Sequence, residues 1–269
     1  MEYSEEFIKA VDFSKGKKLF LGYGNPNGKI LIIGKEHYFN HSLEEDSPEF
    51  YNEILNAREF ENQNNISSWE NNIKNHFEPE WPLGQEFYCN NSNAFTAWWN
   101  QKNKQDDKKG NCGTSNTYLH YQKLYQNVFL DGQKEKRINF QKEIFNSELN
   151  DLPAKKDFNL IQLNKLKKDF IVKRQDLFSL PFFKSFPVVI IASGHYPRKY
   201  NFNIEQIFDV DFIEIRETKI KKAWYNVHYS KDGKRLLIHT RQLSTSVPSE
   251  LIDDLGNIIK KHLIENALL

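Results

Sequence analysis

The sequence predicts an α/β protein: a three-layer α/β/α sandwich around a mainly parallel central sheet. Three observations lead there. Lys29-Ile30-Leu31-Ile32-Ile33 and Pro187-Val188-Val189-Ile190-Ile191-Ala192 are short apolar runs bounded by turn signals, as strands buried on both faces are. Segments with the 3.6-residue apolar period lie among and after these runs. A chain of 269 residues, 39% hydrophobic and 14% aromatic, supports a sizeable core and is read as one domain over residues 1–269.

Taken in order, Gly22-Tyr23-Gly24-Asn25-Pro26-Asn27-Gly28 is turn-rich and leads into the first buried strand, which Gly34 stops. An acidic, Asn-rich excursion follows at about residues 40–116, with a helix expected around Ser47–Phe60 and a polar loop over residues 100–116. Helical spacing resumes over Thr117–Leu130, with Leu119, Leu124 and Val128 on related faces, and a further helix is expected over Asn139–Glu148. Phe158–Asn164 reads as the second buried strand, Pro187–Ala192 as the third, and Phe208–Ile215 as another. Ala223–Tyr229 and Arg235–Thr240 flank an Asp232-Gly233 pair, which marks a hairpin or a tight strand connection. The final helix, Ser249–Asn266, carries Leu251, Ile252, Leu255, Ile258, Ile259 and Leu263 at helical spacing.

Composition narrows the function classes. No apolar run reaches the ~20 residues a membrane span needs, so no membrane partner is expected. Glu2, Glu5 and Glu6 after Met1 do not resemble a signal peptide, and Cys89 and Cys112 cannot build a disulfide framework, so a cytoplasmic location is expected. The net charge of +1 conceals an asymmetry: residues 1–100 hold 16 acidic and 8 basic side chains, residues 101–269 hold 20 and 29. An anionic partner on the C-terminal part is one reading; two solvated faces is the other. Phosphate-loop, dinucleotide and serine-hydrolase motifs are absent from the sequence, and no cofactor is expected.

Ligands of open parallel sheets bind beyond the carboxyl ends of the strands. There the sequence offers Gly34-Lys35-Glu36-His37-Tyr38-Phe39, then Asn164 with Lys165, Lys167 and Lys168. Ser193-Gly194-His195-Tyr196-Pro197-Arg198-Lys199 and His239-Thr240-Arg241-Gln242-Leu243-Ser244 complete the rim. In order and placement these four segments resemble the strand ends of the uracil-DNA glycosylase superfamily. Ile30–Tyr38 (ILIIGKEHY) is similar to that family's first motif, with Glu36 at its catalytic acid, His37 at its proline and Tyr38 at its pocket aromatic. Leu160–Asn164 (LIQLN) resembles the strand ending in the base-reading asparagine, and Val188–Tyr196 (VVIIASGHY) the third strand. His239–Ser244 (HTRQLS) is similar to the closing loop, with His239 at the catalytic histidine, Leu243 at the leucine that enters the duplex, and Thr240, Arg241 and Gln242 in place of Pro, Ser and Pro.

The resemblance implies a uracil-DNA glycosylase-like fold and an N-glycosidic hydrolase acting on a flipped-out damaged or modified base, in DNA repair or in defence against foreign DNA. Glu36 would stabilise the sugar cation or activate water, and His239 would stabilise the leaving base. Tyr38 and Phe39 would stack on the base, His37 would line its pocket, and Asn164 would read its edge. Leu243 would fill the vacated stack, and Arg241, Lys165, Lys167, Lys168, Lys173, Arg174, Arg198 and Lys199 would grip phosphates of single- or double-stranded DNA or of a nucleotide. The alternative on the same fold is a non-catalytic nucleic-acid or nucleotide binding module. Each residue also has a plain structural reading: Glu36 as a helix cap, His239 as a hydrogen-bonded structural histidine, Asn164 as a strand terminator, Leu243 as core, the lysines as a solvated face. His37 and His41 stand at i, i+4, but no third ligand follows at a fixed spacing, so no metal is expected.

Overall fold

A computed structural model describes residues 1–37, 43–45, 47–78, 116–135, 138–154, 162, 165–166, 169–220, 222–244 and 246–269, with only the backbone of Asp169. The chain opens with α1 (Glu5–Lys17), β1 (Tyr23–Gly24), β2 (Ile30–Gly34), α2 (Pro48–Lys74) and α3 (Asn116–Phe129). A 3₁₀ turn (Phe140–Lys142) leads to β3 (Ile144–Glu148), α4 (Asp169–Phe178), α5 (Pro181–Lys184), β4 (Val188–Ala192), α6 (Tyr196–Lys199) and α7 (Ile204–Phe208). It closes with β5 (Asp211–Glu217), β6 (Trp224–Tyr229), β7 (Leu236–Thr240) and α8 (Ser249–Glu265).

The strands form one seven-stranded sheet in the order β1-β3-β2-β4-β7-β6-β5. β3, β2, β4 and β7 are mutually parallel, whereas β1 on one edge and β6 and β5 on the other run antiparallel to their neighbours. The sheet is therefore mixed, not mainly parallel as expected. Connections explain the split. Helical crossovers return a chain to a parallel strand, whereas the short links among β5, β6 and β7 can only fold back. The β6–β7 turn uses Gly233 at φ +70°, and the Asp232 carboxylate accepts from Ser230 Oγ and Lys234 N.

Both faces of the central strands are covered. Leu31, Ile33, Phe145, Val189, Ile191 and Leu237 face α1, α2, α4 and α5. Ile30, Ile32, Ile144, Val188, Ile190 and Ile238 face α3 and α8. The layers are thus helix, sheet, helix. The chain leaves β2 for β3 on one side and returns to β4 on the other, so the order reverses at β2, where open α/β sheets form their crevice.

Several elements differ from expectation. The helix expected around Ser47–Phe60 begins as predicted, with Ser47 Oγ accepting from Phe50 N at 3.1 Å and Pro48 in the first turn, but continues to Lys74. Its inner stripe continues through the polar residues Arg58, Asn62 and Asn65 to Ile66 and Trp69, so a count of apolar residues alone ends it early. Asn139–Glu148, expected to be helical, holds the 3₁₀ turn and β3 instead. Most of the expected strand Phe158–Asn164 lies outside the described residues; within it, the Gln162 carbonyl accepts from Leu166 N at 2.9 Å, a helical bond. Phe208 closes α7 before β5 starts, and Leu119 is exposed on α3 while Leu124 and Val128 are buried. The final helix forms as expected over Ser249–Glu265.

Arg174, read as a phosphate contact, is fully buried. Its guanidinium donates to the backbone carbonyls of Phe20 and Glu148 and to Ser147 Oγ. Nearby, Asp151 accepts from Arg58 Nε and Nη2, each at 2.9 Å, from Asn62 Nδ2 at 3.1 Å and from Phe20 N at 3.3 Å. Removing one partner of a buried pair strands the other charge, at a cost of roughly 3–5 kcal/mol. Asp151→Ala is therefore expected to lower the urea midpoint sharply at an unchanged m-value, read by circular dichroism.

Candidate functional site

The carboxyl corner of β2 and β3 is built around Gly34. A Cβ there would stand 2.2 Å from Glu148 Oε2, so only glycine lets the Glu148 carboxylate lie across the end of the neighbouring strand. Beyond the strands, Leu149 N, Asn150 N and Ala154 N donate to the carbonyls of Gly34, Lys35 and His37 at 2.8–3.0 Å. That ladder fixes the segment carrying Glu36, one of whose carboxylate oxygens is buried. His37 Nδ1 lies 2.7 Å from Glu61 Oε1 on α2, and Nε2 lies 3.7 Å from Glu148 Oε1. The edge of Phe20 packs on the His37 ring at 4.7 Å.

The electrostatics follow from that crowding. Burial pushes the His37 imidazolium down, but the charge and hydrogen bond of Glu61 and the charge of Glu148 outweigh it and lift its pKa to about 9. Burial drives the Glu148 carboxyl up, His37 and Arg174 pull it down, and Glu36 and Glu61 push it up, leaving it at about 7. Burial, reinforced by the charges of Glu61 and Glu148, raises the phenols of Tyr23 and Tyr118; burial, with Glu148, raises that of Tyr121. The corner thus offers a carboxyl near neutrality, a charged imidazolium and neutral phenols.

A second corner lies at the ends of β4 and β7. Gly194 takes φ +59° as the chain leaves β4. His239 Nε2 lies 2.7 Å from the Gly194 carbonyl, which can only accept, so Nε2 carries the ring proton. Nδ1 lies 3.5 Å from Asn226 Nδ2. Burial lowers the pKa of this imidazole despite the Gly194 bond, keeping it neutral at pH 7. Trp224 touches both histidines of the corner: its ring is stacked on His195 at 6.1 Å and meets His239 edge-on at 5.1 Å.

The predicted residues divide among these places. Glu36 and His37 stand at the first corner and His239 at the second, with β4 between them; at the usual strand spacing their backbones are about 10 Å apart. Arg198 and Lys199 are exposed on α6, and Arg241 is half-buried after β7. Lys165 is exposed, with its ammonium 5.2 Å from the Tyr51 ring. Leu243 is 1% exposed and packs in the core with α3 and α8, so it does not project as a duplex wedge. Tyr38, Phe39, Asn164, Lys167 and Lys168 lie outside the described residues, as does His41. Among the described residues no group of His, Cys, Asp and Glu is arranged to hold a metal ion, and no helix is long and apolar enough to cross a membrane.

Sequence reasoning missed Glu148, Glu61 and Trp224. The available signal for Glu148 was Ile144-Phe145 followed by three polar residues and Leu149, a strand whose polar end meets Arg174. Glu61 stood in the acidic excursion and Trp224 was the second residue of a predicted strand. Comparison with known protein families, with characterised proteins and with solved structures returned no match to this chain.

Because Glu36 pushes the Glu148 carboxyl up and His37 pulls it down, neutralising each should move it in opposite directions. A carbon-detected NMR titration of glutamate carboxyls is expected to give Glu148 a midpoint near pH 7, lower in Glu36→Gln and higher in His37→Gln.

Proposed function

We propose that the chain is a hydrolase of N-glycosidic bonds, acting on a nucleobase that is already unstacked. The observation that carries this reading is the carboxylate pair at the reversal point of the sheet. Glu36 and Glu148 sit at the ends of adjacent parallel strands, and their mutual repulsion helps hold Glu148 near neutrality. A carboxyl held near neutrality beside a second carboxyl suits acid–base hydrolysis of a glycosidic bond.

In this reading Glu36 faces the sugar carbon as positive charge develops and orients the attacking water. Glu148, protonated in part at neutral pH, takes the proton-transfer role beside it. His239 lies across β4, neutral, with its one N–H donated to the Gly194 carbonyl; it would polarise the leaving base by turning that N–H from Gly194 to the base oxygen. The resemblance of Ile30–Tyr38 and His239–Ser244 to the uracil-DNA glycosylase superfamily supplies the choice of a nucleobase as leaving group. Arg198, Lys199 and Arg241 flank the second corner with positive charge suited to a phosphate.

The burial of Leu243 refines the substrate. Without a projecting wedge, extraction of a base from a duplex lacks the filler that offsets its unstacking cost. A single-stranded nucleic acid or a free nucleoside or nucleotide meets no such cost.

Single-turnover assays on uracil, hypoxanthine and modified-pyrimidine substrates, as free nucleotides, single strands and duplexes, test the proposal. Release of free base is expected to be fastest from unpaired substrates. Glu36→Gln and His239→Ala are each expected to slow it roughly 10²–10⁴-fold. Salt-dependent binding with no base released from any substrate would instead establish the non-catalytic alternative.

A further inference from the structure

β5 closes one edge of the sheet, and no other strand among the described residues pairs with its outer side. It is seven residues long, and six of the seven are exposed. Phe212, Ile213 and Ile215 are 46%, 54% and 63% exposed, and Ile220 just beyond the strand is 81% exposed. A long apolar edge left open templates the pairing of other chains, and folded proteins normally blunt or cover it. Here the blunting is confined to the ends: the Glu205 carboxylate accepts from Phe212 N at 2.9 Å, the register with β6 shifts between Phe212 and Glu214, and just past the strand the Glu250 carboxylate accepts from Lys219 N and Ile220 N at 2.9 and 3.0 Å.

The free backbone groups can be located. Thr218 N donates inward to the Ala223 carbonyl at 2.9 Å, in register with the pairs Glu217↔Trp224 and Arg216↔Tyr225. Inward and outward residues alternate along an antiparallel strand, so Arg216 and Glu214 turn toward β6, while Ile215 and Glu217 turn their N–H and C=O groups outward.

We propose that β5 is the interface of a two-fold homodimer in which β5 of each chain pairs antiparallel across Ile215, continuing the sheet from one protomer into its partner. The sequence of the strand chooses this register. A two-fold axis at Ile215 lets each Ile215 exchange two backbone hydrogen bonds with its symmetry mate. It also sets each Glu214 opposite the other chain's Arg216, twice by symmetry, on the face where Glu214 and Arg216 already pair within the strand. An axis at Glu214 sets glutamate against glutamate, one at Arg216 sets arginine against arginine, and one at Glu217 again opposes two carboxylates. Pairing between odd and even positions would oppose inward with outward backbone groups. A second copy of this chain is therefore the occupant whose charges fit the edge.

Sedimentation of the full chain is expected to give twice the single-chain mass. Glu214→Arg and Arg216→Glu each place like charges opposite one another across the axis, and each is expected to sediment as a monomer with unchanged circular dichroism. Mixing the two is expected to restore the doubled mass, because the two arginines that one variant carries on this face then meet the two glutamates of the other. Wild-type chain at the single-chain mass overturns the proposal, as do single variants that remain dimeric or a mixture that stays monomeric.

Discussion

The guanidinium of Arg174 is a full charge placed where no water reaches it, and the chain must surround it with fixed acceptors. The carbonyls of Phe20 and Glu148 and the hydroxyl of Ser147 do so, tying the loop before β1, the end of β3 and helix α4 to one point. A buried ion is tolerated only when its hydrogen-bonding capacity is met. That constraint holds the last turn of β3 in place, and with it the carboxylate that lies across Gly34. The neighbouring Arg58–Asp151 pair extends the arrangement to α2, since Asp151 also accepts from Phe20 N. Loop, strand and two helices are thereby fixed around charges instead of by apolar packing alone.

The same charges set the chemistry of the corner. Arg174 and His37 draw Glu148 toward ionisation, while burial, Glu36 and Glu61 oppose it. Burial is the largest of these influences and outweighs the attraction of the two cations, which leaves the pKa of the carboxyl at about 7. His37 is bound into this balance by Glu61, so its ring serves the electrostatics of the carboxylates. The helix that brings Glu61 is α2, in the segment read from sequence as an acidic excursion outside the motif-bearing strands.

Legibility in the sequence followed the visibility of the apolar pattern. β2, β4, β7 and α8 were readable because they carry runs of Val, Ile and Leu or keep a clean helical period, and β6 because its aromatic and β-branched residues run up to the Asp232-Gly233 turn. β3 was not, because Asn146, Ser147 and Glu148 fill its second half, and their burial depends on Arg174, some 27 residues away in sequence. The extension of α2 was hidden for the same reason, since Arg58, Asn62 and Asn65 face inward to partners on distant loops. Of the site, Glu36 and His239 were legible as strand-end residues. Glu148 was not, because the strand it ends was itself unrecognised.

The charge asymmetry of the chain acquires a local meaning. Of the acidic residues of the N-terminal part, Glu70 pairs with Lys15 of α1 and Glu59 with Lys18 at its C-cap, while Glu36 and Glu61 stand at the site. The corner at β2 and β3 thus gathers Glu36, Glu61 and Glu148 around the His37 imidazolium. The exposed cations Arg198 and Lys199 lie at the opposite corner, after β4. Under the proposed function, a nucleotide would enter such a rim with its phosphate toward α6 and its sugar toward Glu36. That orientation would place the sugar carbon, where cation character develops during N-glycosidic cleavage, beside the carboxylates that would stabilise it. Separating cations from carboxylates along one rim would serve both ends of that substrate.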